Sequence, residues 1–206
     1  MAKIKLSMQE LKRQRSALKR YQRYLPTLVL KKLQLQIEVN RAKATLEQRL
    51  RQEGKRTEAF QSWIAVLGED LGRGEILQVE DVEVRQSNVA GVEVPLFEGV
   101  RFRESRYDLY TTPFWVDRAL ETLRPLLTLR AEIMILSVQL KALERELRTT
   151  IQRVNLFEKV KIPEALDNIR VIQVFLGDQQ AAAVARGKIA KRKIPALTTA
   201  RERDLS

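Results

Sequence analysis

Gly68, Gly72 and Gly74 are the one cluster of glycines in this chain and the first place to look for phosphate chemistry. A phosphate loop needs a preceding strand, backbone N–H groups turned toward the anion and a lysine to meet it. The sequence has no G-x-x-x-x-G-K-S/T, and Glu69 and Asp70 beside these glycines repel phosphate, so the stretch reads as a helix-to-hairpin connection. The 206 residues hold no histidine and no cysteine. That removes the imidazole general base, the Ser-His-Asp triad and histidine metal sites, together with thiolate nucleophiles, thiolate zinc sites and disulfides. The 26 Asp and Glu residues form no spaced pair on a predicted pocket, and a solvated helix face accounts for them. No catalytic residue, cofactor or metal is expected.

The charge is the stronger signal. Net charge is +12, and it is polarised along the chain. Residues 1–60 carry 16 Lys/Arg against 5 Asp/Glu, whereas residues 61–112 carry 5 against 10. Residues 113–185 are nearly balanced at 10 against 9, and the tail from 186 is basic again at 7 against 2. A basic excess suits either nucleic-acid phosphates or an acidic protein surface. Little aromatic interleaving accompanies these cations, which leaves a basic coiled-coil protein binding nucleic acid as the alternative reading and disfavours it.

The elements that carry these charges are long helices. From Phe114 to Leu176 there is no glycine, and apolar residues recur at Ile133, Leu136, Leu140, Leu143, Leu147, Val154 and Phe157, with Thr150 as the interruption. Spacings of three and four sustained over several heptads predict a coiled-coil seam in a helix roughly 90 Å long, which requires an equally long partner. Residues 6–67 supply one: Leu11, Leu18, Leu25, Val39 and Leu46 fall at one heptad position and Tyr21, Leu28, Leu35 and Ala42 at the other, broken by Gln14, Lys32 and Arg49. Ser7 and Glu10 have the spacing of a capping box, and Pro26 inside the pattern predicts a kink. Leu30, Leu33 and Ile37 form a second stripe, readable as a broader core-facing strip or as an external contact. Asn155, beside the seam, reads either as a register-fixing polar residue or as an exposed one. After Pro163 the positions Ala165, Ile169, Ile172 and Leu176 leave the register of the preceding heptads, which predicts a stutter.

Between Gly74 and Arg103 the period changes to two. Val82, Val84, Val92 and Val94 alternate with charged residues around Ser87–Gly91, predicting a β-hairpin, and Pro95 suits an edge or strand end. Thr112-Pro113 is a fitting entry to the second helix. The expected fold is therefore dominated by α-helix: a long antiparallel two-helix coiled coil with a small β-hairpin domain inserted at the turn end. Residues 1–67 form the first helix, 68–112 the hairpin region, 113–194 the second helix with its basic end, and 195–206 a flexible tail. Antiparallel pairing is expected to bring Lys3, Lys5, Arg13 and Arg15 beside Arg186, Lys188, Lys191, Arg192 and Lys193, making one strongly basic tip. No run approaches the length of about 18 apolar residues that spans a bilayer, and Met-Ala-Lys-Ile-Lys-Leu lacks a signal-peptide core, so a cytoplasmic location is expected.

Two runs are more specific than any of these patterns. Tyr24-Leu25-Pro26-Thr27-Leu28-Val29-Leu30-Lys31-Lys32-Leu33 and Arg153-Val154-Asn155-Leu156-Phe157-Glu158-Lys159-Val160-Lys161-Ile162-Pro163-Glu164 resemble the D subunit of bacterial and archaeal V-type (A-type) ATPases. The resemblance extends through Gly91–Pro95, Thr112–Asp117, Ile169, Ile172 and Phe175 to Lys188–Lys193, and leaves out Ala196–Ser206. It implies a noncatalytic central rotor shaft, peripheral to the membrane on the cytoplasmic side, transmitting torque to a membrane ion-translocating ring. The implied partners are the hexamer of catalytic A and regulatory B subunits, the F subunit on the side of the shaft, and a funnel-shaped membrane-side subunit. Arg13, Arg15, Lys188, Lys191, Arg192 and Lys193 would then face the hexamer.

Overall fold

The computed structural model describes residues 4–67, 77–104 and 115–203 and, within them, all side chains but those of 60, 62–67, 104 and 194–203. Gly68–Gly74, Thr112-Pro113 and Lys3 lie outside the described residues, as do the side chains of Trp63, Ile64 and Leu67. In chain order the elements are helix α1 (Met8–Leu67), strands β1 (Leu77–Val89) and β2 (Val92–Glu104), and helix α2 (Trp115–Leu156). A π-helical turn (Phe157–Lys161) and helix α3 (Ile162–Arg203) follow. This is the expected coiled coil with an inserted hairpin. Helix α3 runs into the segment assigned from sequence to a tail. The chain divides into two compact units, Leu30–Ile151 and the combination of Met1–Val29 with Gln152–Ser206.

In Leu30–Ile151, α1 and α2 run antiparallel, since rising numbers on one helix meet falling numbers on the other. Lys31 Nζ lies 2.8 Å from Glu146, Arg49 Nε 2.9 Å from Glu132, and Arg130 Nε 2.7 Å from Glu53. Arg49, a break in the apolar heptad, is thus a cross-helix tie. Pro125 sits inside α2, where it cannot donate a backbone hydrogen bond, and its own carbonyl accepts one from Arg56 at 3.1 Å.

The hairpin closes with a two-residue turn. Val89 pairs with Val92, and Ala90 and Gly91 take φ of 52° and 78°, the two positive values that a type I′ turn demands. Glycine adopts that backbone freely; Ala90 does so against its Cβ. Asn88 Oδ1 accepts the Gly91 N–H at 2.9 Å and steadies the turn. Two register shifts, between Val79 and Asp81 and between Glu83 and Val84, bend the ribbon.

A two-stranded ribbon is marginal by itself. This one is held by its tip: Val94 is fully buried with Leu35, Val39 and Leu143, and Val89, Ala90 and Val92 pack against that cluster. The hairpin is inserted between the helices in chain order, yet its tip reaches a point about 30 residues back along α1 from Leu67, roughly 45 Å.

In the other unit the N-terminus of α1 is capped as its sequence suggests, though only by half of the reciprocal box. Ser7 Oγ accepts the Glu10 N–H at 3.3 Å, while the Ser7 N–H goes to the Lys5 carbonyl and the Glu10 carboxylate takes the Gln14 side chain. The seam of this unit buries Leu11, Val154, Ala165 and Ile172, and the Tyr21 ring lies 5.3 Å from that of Phe157.

The expected stutter proves to be a skip of one residue, absorbed by the π turn. Pro163 has no N–H for the Lys159 carbonyl, and the Ile162 N–H reaches back five residues to the Phe157 carbonyl. Continued without the skip, the 3-4 spacing through Val154, Phe157 and Lys161 would bring Glu164 and Asn168 to the seam. With it, Ala165 and Ile172 are buried there instead.

Candidate interaction surfaces

The predicted seam residues divide by depth. Leu11, Leu35, Val39, Leu143 and Val154 are buried, whereas Leu18, Tyr21, Leu25, Leu28, Ile133, Leu136, Leu140, Leu147 and Phe157 are half-buried, as two helices alone shield only part of each side chain. Thr150, read as an interruption, belongs to the seam: it is 1% exposed, and its hydroxyl has no hydrogen-bond partner. Asn155 is exposed, which removes the register-fixing reading.

Leu30, Leu33 and Ile37 are 57%, 50% and 52% exposed. Leu33 and Ile37 lie two residues either side of Leu35, about 200° around the helix, so they point away from the cluster that Leu35 enters. The core-facing reading is therefore replaced by an outward apolar stripe. Met134 and Val138 are comparably exposed on α2. Sequence periodicity finds such stripes but does not say which one meets the partner helix.

The single basic tip does not form. Lys5, Arg13 and Arg20 line a groove with Glu10, Glu164 and Asn168, and Ile4 already shares it, so the N-terminus of the chain lies level with the first turns of α3. Lys188, Lys191, Arg192 and Lys193 lie at least 20 residues beyond Asn168, roughly 30 Å farther along α3. From Gly177 to Lys193 every residue is exposed. Arg13 and Arg15 are exposed as well, with Arg13 3.8 Å from Glu10, but they form a separate basic group. Flush helix ends were the mistaken premise; the pairing register leaves residues 177–193 of α3 exposed.

The cations of residues 178–193 also lack a common face. At 100° per residue, Arg186, Lys188, Lys191, Arg192 and Lys193 distribute around the helix, with Val184 and Ile189 exposed among them. This arrangement puts Lys188, Lys191 and Arg192 within about 100° of one another and Arg186 with Lys193 on the opposite side, with no apolar strip for a stereospecific helix partner. Among the described residues there is no group of His, Cys, Asp and Glu able to hold a metal, and no helix is long and apolar enough to cross a membrane.

Comparison with known proteins adds an independent line. The family of ATP synthase D subunits matches residues 10–192. The V-type ATP synthase D subunit of Borreliella burgdorferi is 43% identical over 194 residues, which cover 94% of this chain and 96% of that protein. The proteins described in the same words from Chlamydia pneumoniae and Chlamydia abortus are 35% and 33% identical, covering 93% and 94% of this chain and the same shares of their own lengths.

Proposed function

Because the chain belongs to the family of ATP synthase D subunits, we propose that it is the central rotor shaft of a V-type ATPase, noncatalytic itself and turning within a hexamer of catalytic A and regulatory B subunits. The observation that carries the reading is the way α1 and α2 are tied together. A shaft transmits torque only if its two helices neither slide nor unwind under load. The ion pairs Lys31–Glu146, Arg49–Glu132 and Glu53–Arg130 join helix to helix at intervals, and the hairpin tip touches both through Leu35, Val39 and Leu143. Each ion pair is worth about 0–1 kcal/mol because it is partly solvated, so their value lies in setting register and not in stability.

Asymmetry is the second requirement, since each catalytic interface must meet a different face of the shaft. Pro26, the π turn and the hairpin along one side of the helix pair supply it. The outward stripe Leu30, Leu33 and Ile37 fits a side-bound F subunit. The funnel-shaped subunit would join the shaft to the membrane ring, leaving this chain peripheral on the cytoplasmic side. The basic residues Lys188, Lys191, Arg192 and Lys193 would guide docking to the hexamer through weak, salt-screened contacts compatible with turning.

The deciding experiment is a cysteine at Arg13, exposed in the paired part of the helices, disulfide-linked to a facing hexamer subunit. Turnover stops in the cross-linked complex and returns on reduction; full ATP turnover and ion pumping in the verified cross-linked state would exclude rotation of this chain. The chain alone is expected to show no ATP binding by calorimetry, and micromolar affinity would contradict the noncatalytic assignment. Co-purification with the A and B subunits, and not with nucleic acid, separates this reading from the alternative.

A further inference from the structure

Gly177 stands at the point where α3 loses its packing. Ile172 is fully buried, Phe175 and Leu176 are half-buried, and every residue from Gly177 to Lys193 is exposed. A Cβ added at Gly177 would meet nothing within 4 Å. The glycine is therefore required neither by close packing nor by a positive φ, and it occupies a site where alanine would fit in open space.

Two physical effects meet at this residue. Glycine in a helix interior loses more backbone freedom than alanine, at about 1 kcal/mol, so the helix opens there about five times more readily than it would at an alanine. In the segment that follows, every residue from 178 to 193 is exposed, so no buried side chain anchors it. On the N-terminal side of Gly177, burial of Ala165 and Ile172 holds the helix in place. Gly187, farther along, is equally open but has exposed residues on both sides, whereas Gly177 is the glycine at the boundary between the held and the unheld part of α3.

We propose that Gly177 is a joint, and that residues 178–193 are a basic arm swinging on it. The joint lets Arg186, Lys188, Lys191, Arg192 and Lys193 reach an anionic surface in more than one orientation, while the paired part of α3 keeps its place against α1. Such a joint does not depend on the shaft assignment.

The native chain has no cysteine, so paired spin labels can be placed at will. In the full-length chain, Arg170→Cys with Val184→Cys brackets Gly177, and Met134→Cys with Arg148→Cys spans the same number of residues on α2 without a glycine. All four positions are exposed, and a straight helix would separate each pair by roughly 21 Å. Pulsed dipolar spectroscopy is expected to give a broad distance distribution for the pair across Gly177 and a narrow one for the pair on α2. Adding Gly177→Ala should shift the joint toward the straight form by about fivefold and narrow the first distribution. A distribution across Gly177 as narrow as that on α2, or a broad one that Gly177→Ala leaves unchanged, overturns the joint.

Discussion

Residues 30–151 and the unit formed by 4–29 with 152–203 solve one problem in different ways. Both contain two antiparallel helices, and two helices alone leave their seam half covered. The first unit adds a third element, the hairpin tip, and buries Leu35, Val94 and Leu143 to 1% exposure or less. The second adds no strand. It changes the helix itself, inserting a π turn after which Ala165 and Ile172 take the buried seam positions and Glu164 stays exposed. Covering a seam from outside permits a regular heptad; adjusting it from within requires a local departure from α-helical geometry. The first strategy makes one fully buried node, and in the second the helix continues past its partner with residues 177–193 exposed.

Mutations at the two nodes should separate these strategies. The largest effect is expected for Val94→Asp, which places a carboxylate in a fully buried apolar site and should cost at least about 3 kcal/mol by denaturant titration. Hydrogen exchange should rise in β1, β2 and around Leu35, with residues 4–29 protected as before. Val84→Asp, at a site 39% exposed on the same hairpin, is the control and should change little. Equal loss from both would mean that the tip is not what holds the hairpin.

Ile172→Ala should cost about 2–5 kcal/mol, with protection lost in the unit containing the π turn and retained in residues 77–104. Uniform loss along the chain would show that the two units open together. A gain is expected from Thr150→Val. The Thr150 hydroxyl is buried without a partner, so removing it should raise stability by about 1 kcal/mol, read as a higher denaturant midpoint. A lower midpoint would show that the hydroxyl has a bond in solution.

The smallest effect is expected at the turn. Ala90→Gly relieves the left-handed backbone by about 1 kcal/mol and removes a methyl packed on the cluster, a loss of about 0.8 kcal/mol. The two should nearly cancel, leaving the midpoint almost unchanged. A clear loss would show that packing of the Ala90 methyl outweighs its strain.

The sequence by itself determined what is local. Heptads at Leu11 to Val39 and Ile133 to Phe157 specify helices because the helical repeat brings those side chains to one face, whatever lies opposite. Alternation around Val82 to Val94 specifies strands for the same reason at period two. The shift after Pro163 was legible because a proline without a donor and a seam moved by one residue are both written in the chain. Tertiary structure decided everything that depends on which face meets which. The heptad repeats at intervals of seven, so sliding one helix past another by about 10 Å matches apolar residues nearly as well. Contacts far apart in sequence, Lys31 with Glu146 and Tyr21 with Phe157, select the register. That choice places the hairpin tip on Leu35 and Leu143, turns Leu30, Leu33 and Ile37 outward, and separates Arg13 from Lys188 by carrying the end of α3 beyond the start of α1.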